Sequence, residues 1–280
     1  MPSLICQLQD RARFSPQENR LIDALFRHSQ DVLSMNAFDL SKQADVSSST
    51  LYRLCRKLGF DGFSDFKTSL ASAWSETRLQ DTPVDFDRPF SEQDDSAALV
   101  QKMGSLYRQS VDQTIRMLNL DELEAIARAL RDARRVFLLT SSFNLSAAQT
   151  FDWRLREIGI HIHVVGELDQ QRLTCASARE NDLFLFVSYN GKMDHIVELL
   201  KEVSSRGARI ALVTSTKPTP CRYYANMELS LCSEEDALVK ISTFSSFTSI
   251  TFVLDVLFGL LYQENYTRNL QERKRKYMVD

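Results

Sequence analysis

Between Phe38 and Phe66 the chain reads FDLSKQADVSSSTLYRLCRKLGFDGFSDF, and no other stretch constrains the fold as tightly. Phe38, Leu40 and Ala44 pattern a short helix, and Asp45-Val46-Ser47 forms a turn. Leu51, Leu54, Cys55 and Leu58 then give the apolar face of a second helix that stops at Gly59. Two short helices joined by a tight turn make a helix-turn-helix, whose second helix enters the major groove of duplex DNA. The outward positions of that helix suit the task. Ser48, Ser49, Thr50, Tyr52 and Arg53 are placed to reach base edges. Arg56 and Lys57, with Lys42 on the first helix, are placed to reach phosphates. A serine cluster at a helix start also serves as an N-cap. Residues 47–58, however, carry Arg53, Arg56 and Lys57 and no carboxylate, in a chain whose net charge is −3. The positive field is therefore local. Upstream, Ser15-Pro16-Gln17-Glu18 reads as a capping box with proline at the first helical position. Leu21, Ile22, Leu25 and Phe26 follow as the core face of a third helix.

The run Arg53-Leu54-Cys55-Arg56-Lys57-Leu58-Gly59-Phe60, continued by Gly62-Phe63-Ser64-Asp65-Phe66-Lys67, resembles the N-terminal domain of RpiR-type transcriptional regulators. In physical terms Gly59 suits a left-handed C-cap. Phe60, Phe63 and Phe66 would fold back over the small bundle, and Lys67 would stand near a helix start, where a phosphate contact is possible.

Residues 77–95 contain two prolines and six acidic residues, Asp81, Asp85, Asp87, Glu92, Asp94 and Asp95. That composition reads as a linker, between a DNA-binding domain at 1–76 and a second domain at 96–280. Helical periodicity returns at 97–118 and at 123–130, the latter with Asp121 as its expected cap. The apolar runs 136–140, 160–165, 183–187 and 209–213, with a last short one at 227–231, alternate with helical patterns near 145–158, 169–178 and 193–205. Long helices fill 238–263. The expected architecture is multidomain: an all-α helix-turn-helix domain, then an α/β domain whose parallel sheet is covered by helices on both faces.

Ligands of such sheets bind beyond the carboxyl ends of the strands. The loops there hold Thr140-Ser141-Ser142-Phe143-Asn144, Ser188-Tyr189-Asn190-Gly191-Lys192 and Thr214-Ser215-Thr216-Lys217. The first two lead into helix starts, where free N–H groups favour an anion, and Lys192 and Lys217 would add positive charge. The candidate effector-binding residues are Ser141, Ser142, Asn144, Ser188, Asn190, Gly191, Lys192 and Ser215. This half resembles a SIS (sugar isomerase) phosphosugar-binding domain, the usual partner domain in RpiR-type regulators. The resemblance implies a DNA-binding regulator of sugar or related catabolic genes. It also implies a small anionic effector of the phosphosugar type and a homodimer or homotetramer on a double-stranded DNA operator. In the family the first loop is G-x-G-x-S, aligned on Thr140, Ser142 and Asn144. The second is S-x-S-G-x-(T/S), aligned on Ser188, Asn190, Gly191 and Met193. Both glycines of the first loop and two hydroxyls of the second are replaced, so a different anion, or a domain that only dimerises, stays open.

SIS domains also occur in isomerases and lyases. Glu167, Glu234, Glu235 and His195 are conceivable bases, but no pattern selects one, and the expectation is a non-enzyme with no catalytic residues. The five scattered cysteines form no C-x-x-C pair, and His161 and His163 lack further ligands, so neither a metal nor a cofactor is expected. The richest apolar run, 250–261, is short for a membrane span and contains Asp255. No basic, apolar leader opens the chain, and a cytoplasmic protein is expected.

Overall fold

A computed structural model describes residues 4–27, 32, 34–81, 83–141, 143–189, 194–232, 234–236 and 239–277. The chain divides into two compact units, residues 1–83 and 84–280.

The first unit is helical: α1 (Leu4–Gln9), α2 (Pro16–Arg27), α3 (Ala37–Gln43), α4 (Ser48–Lys57) and α5 (Phe63–Asp81). The capping box forms at the head of α2. Ser15 N–H donates to Glu18 Oε2 at 2.8 Å and Glu18 N–H to Ser15 Oγ at 3.3 Å. Between α3 and α4, Asp45 takes φ +52°, which a short polar side chain tolerates. Leu21, Ile22, Leu25, Leu40, Leu51, Leu54, Cys55, Phe66 and Leu70 close one core. The Phe66 ring lies 5.5 Å from Phe60 and 6.4 Å from Phe63, the expected aromatic fold-back. Phe38 departs from its expected inward place and is 67% exposed, because α3 buries only the stripe that includes Leu40 and Ser41.

The second unit begins with a strap, Val84–Asp95, where a linker was expected. α5 continues through Asp81, and the strap then packs onto the second unit. Phe86 is buried with Leu106 and Cys232, and the Phe90 ring lies 6.3 Å from Phe244. The carboxylates that make this stretch look like a solvated linker act as local acceptors. Asp85 Oδ1 takes the N–H groups of Asp87 and Arg88, Asp94 Oδ2 takes that of Ser91, and Asp95 caps the next helix through Ala98 N–H.

Helices α6 (Ser96–Met117) and α7 (Leu120–Asp132) follow, then β1 (Arg135–Leu139), α8 (Asn144–Glu157), β2 (His163–Val165), α9 (Leu168–Ala176), β3 (Asp182–Val187), α10 (Asp194–Ser205), β4 (Arg209–Ser215), β5 (Met227–Leu231), α11 (Phe244–Glu264) and α12 (Tyr266–Tyr277). The cap of α7 is Asn119, whose Oδ1 accepts from Asp121 and Glu122 N–H. Asp121, the expected cap, sits inside the first turn. All strands are parallel, in the order β2-β1-β3-β4-β5. Val136, Leu138, Leu183, Leu185, Ala211 and Val213 face α7, α8 and α11. Phe137, Leu139, Phe184, Phe186, Ile210 and Leu212 face α10. Burial on both faces explains the unbroken apolar strands. Helix α11, at 21 residues, is long and apolar enough to cross a membrane by composition; here it packs against α6, α7 and α8, with Ile250, Val253, Leu254 and Leu257 in the core. Four described cysteines, Cys55, Cys175, Cys221 and Cys232, are buried free thiols.

Candidate functional sites

Ser47 caps α4, its Oγ accepting from Thr50 N–H at 3.4 Å. Gly59, at φ +90°, closes the other end. Gly59 N–H donates to Arg56 O and Phe60 N–H to Cys55 O, a Schellman motif. Between these ends, Ser49, Tyr52, Arg53 and Arg56 are exposed. Their spacing of three, four and seven residues puts them on one stripe of the helix. Ser48 is half-buried beside it, and Lys42 is exposed on α3.

Two predicted residues stand elsewhere. Thr50 is buried, its hydroxyl 3.0 Å from Ser47 Oγ and accepting from Arg53 Nη2 at 3.3 Å. Lys57 lies 3.0 Å from Glu18 Oε2 and 5.2 Å from the Phe14 ring centroid. Lys67 likewise serves the fold: its Nζ donates to Met35 O at 3.0 Å, over the Phe63 ring. Neither Arg53 nor Arg56 has an ion-pair partner among the described residues. The exposed stripe is therefore cationic, and no described acid neutralises it.

In the second unit the strand order reverses direction at β1 and β3, the switch point where doubly wound sheets bind ligands. Thr140, Ser141, Gln171, Ser188 and His195 line a narrow cleft there. Thr140 Oγ1 donates to Val187 O at 2.8 Å, and Gln171 Nε2 ties Thr140 O and Val165 O at 2.7 and 3.0 Å. The two loop mouths are thus braced against each other. Ser141 and Ser188 meet in this cleft, and Asn144 opens α8 beside it, its N–H donating to Ser141 O. Ser215 is not part of the cleft lining. It is buried at the end of β4, and its Oγ has no partner among the described residues. Ser142, Asn190, Gly191 and Lys192 lie outside the described residues.

No sequence pattern singles out the group that dominates this edge. Glu235 is fully buried between β5 and α11. Its Oε1 accepts from Ser245 and Ser246 N–H at 2.5 and 2.9 Å, and its Oε2 from Ser246 Oγ at 2.6 Å and Lys240 Nζ at 2.8 Å. Four donors offset the cost of burying the charge. The Glu235 backbone adds two links. Its N–H donates to Tyr189 Oη at 3.2 Å, and its carbonyl accepts from Lys217 Nζ at 2.6 Å. Lys217, expected to face a ligand, is committed here. Lys240 Nζ also sits 5.3 Å from the Tyr189 ring centroid. Burial, then the neighbouring Glu235 charge, push the Tyr189 hydroxyl well above its ordinary range, so it stays protonated.

The family model described as the helix-turn-helix domain of the rpiR family matches residues 4–77, and the SIS domain model matches residues 129–260. The chain joins an rpiR-family helix-turn-helix domain to a SIS domain. A Haemophilus influenzae protein named as an uncharacterized HTH-type transcriptional regulator is 26% identical over 88% of this chain and 85% of its own length. One from Caldanaerobacter subterraneus is 26% identical over 90% and 88%. Among solved structures, Vibrio vulnificus NanR complexed with ManNAc-6P matches with a TM-score of 0.59 at 19% identity, covering 99% of this chain and all of that one. The sugar isomerase domain of a Sphaerobacter thermophilus RpiR transcription factor matches with a TM-score of 0.56 at 19% identity, over 65% of this chain and 99% of its own. These likenesses confirm the helix-turn-helix and SIS folds.

Proposed function

We propose that this chain is an RpiR-type DNA-binding transcriptional regulator of sugar or related catabolic genes, governed by a small anionic effector of the phosphosugar class. The observation that carries the reading is the α4 stripe of Ser49, Tyr52, Arg53 and Arg56, exposed and cationic in a chain of net charge −3. Ser48 and Ser49 sit at the end of the helix that meets base edges first, Arg53 reads bases, and Arg56 and Lys42 hold phosphates. Thr50 and Lys57 contribute by fixing the helix. The effector occupies the cleft at the β1/β3 switch point, taking up Ser141 and Ser188 from its lining and Asn144 at the start of α8, together with Ser142, Asn190, Gly191 and Lys192 from the loops; Ser215, expected to join them, is buried at the end of β4. The NanR structure, complexed with ManNAc-6P, supports this ligand class.

A homo-oligomer is supported by an apolar stripe on α6, where Val100, Tyr107 and Ile115 are exposed on one face. We assign no catalytic role. Glu235 is saturated by donors, and Glu167 caps α9 by accepting from Gln170 N–H. Selection of bound duplexes from random-sequence DNA, followed by calorimetry with hexose and hexosamine 6-phosphates, tests both halves. Enrichment of a two-fold-symmetric sequence and saturable phosphosugar binding are expected. Turnover of any of these sugars would reverse the assignment toward an isomerase.

A further inference from the structure

The connection between β5 and α11 is held from two sides. On one side Glu235 and Lys240 join it to Tyr189, in the loop that follows β3. On the other side it is held by the strap. Asp87 Oδ1 accepts from Asp236 N–H at 2.7 Å, and Asp87 O accepts from Ile241 N–H at 2.8 Å. Phe90 packs on Phe244, the first residue of α11. The strap starts at Val84, the first residue after the helix-turn-helix unit. One short connection is therefore hydrogen-bonded both to the ligand side of the sheet and to the segment that leads out to the DNA-binding unit.

We propose that this connection is the regulatory joint of the molecule: an anion at the cleft draws on Lys240 and Tyr189, shifts the Glu235 anchor, and loosens Asp87 and the strap. The inference rests on the effector reading above. The chemistry favours it because Lys240, its side chain 12% exposed, sits 5.3 Å from the ring of Tyr189, the neighbour of the cleft residue Ser188, and Glu235 is its only described carboxylate partner. An incoming phosphate competes directly for that ammonium. The Glu235 carboxylate, with that counter-charge drawn away, is still held by Ser245 and Ser246 N–H at the start of α11. The carboxylate keeps donors in either arrangement, as a two-state element requires.

The test uses the full chain and the duplex it recovers from random-sequence DNA. Asp87→Ala removes the side-chain acceptor, Asp87→Asn keeps an oxygen there, and Phe90→Ala loosens the strap through a different contact. In the absence of any sugar, Asp87→Ala and Phe90→Ala are expected to shift the Kd for that duplex in the same direction by about fivefold or more, with Asp87→Asn near wild type. Both variants remaining within about twofold of wild type overturns the joint. In the second arm, hexose and hexosamine 6-phosphates are added. Wild type is expected to shift in the direction the two variants show, whereas Asp87→Ala binds the same sugar by calorimetry without a further shift. A full sugar response in Asp87→Ala overturns the proposal. If no sugar binds wild type, the effector reading fails, and the sugar-free arm still decides the strap.

Discussion

Arg53 and Arg56 are one turn apart on the same exposed stripe, yet their positions assign them different work. Arg53 lies nearer the start of α4 and rests on the Thr50 hydroxyl, and the proposed reading gives it the base edges. Arg56 lies in the last turn, and the same reading gives it the phosphates. Arg53→Ala should cost about 1–3 kcal/mol on the preferred duplex and relax its sequence preference. Arg56→Ala should weaken all duplexes alike and reduce the salt slope by about one. Titrations at several salt concentrations separate the two. Glu18 makes a prediction of another kind. Burial raises its carboxyl, but the Ser15 backbone and hydroxyl and the Lys57 ammonium outweigh that and hold it below the ordinary range. A depressed folded value means that this stabilisation is present at neutral pH and is lost as pH falls through the folded pKa. Melting of the helix-turn-helix unit should therefore drop on acidification, and Glu18→Gln should flatten that dependence. An unchanged acid slope would remove Glu18 from the account.

At the scale of elements, Gly59 gives a direct check on the end of α4. A Cβ built there meets nothing within 4 Å, while φ is +90°, so Gly59→Ala should cost about 1–2 kcal/mol through backbone strain alone. Denaturant midpoints should show the loss without a change in m-value. The elements themselves were largely legible in the sequence. The capping box, the Gly59 stop, the alternation of strands with helices and the short strand at Met227–Leu231 all follow from local chemistry. What misled was composition read without geometry. The strap looked like a linker because acidic residues next to prolines resemble a solvated tether, but here the acids cap turns and a helix. Thr50 and Lys57 share a surface pattern with Arg53, yet a cap and a partner 39 residues away claim them. Glu235 stood in the sequence only as one of four conceivable bases, with no pattern to single it out. Its burial depends on meeting the Ser245 and Ser246 N–H groups at the start of α11, which no local pattern encodes.

For the whole molecule, a chain of net charge −3 can bind DNA because its two units divide the work. The first concentrates cations on one helix, and the second carries the sheet edge proposed to take an anion and the exposed apolar stripe proposed for assembly. The division predicts that DNA affinity falls linearly in log–log terms with salt, each phosphate contact adding about −0.9 to the slope, while sugar binding follows the second unit alone. The central claim is that α4 reads a defined DNA sequence. Parallel selections from random-sequence duplexes with wild type and with the Arg53→Ala, Arg56→Ala double variant test it most directly. The account predicts one two-fold-symmetric sequence enriched by wild type and lost by the variant. Equal enrichment by both proteins, or none by wild type with and without phosphosugars at moderate salt, would contradict it.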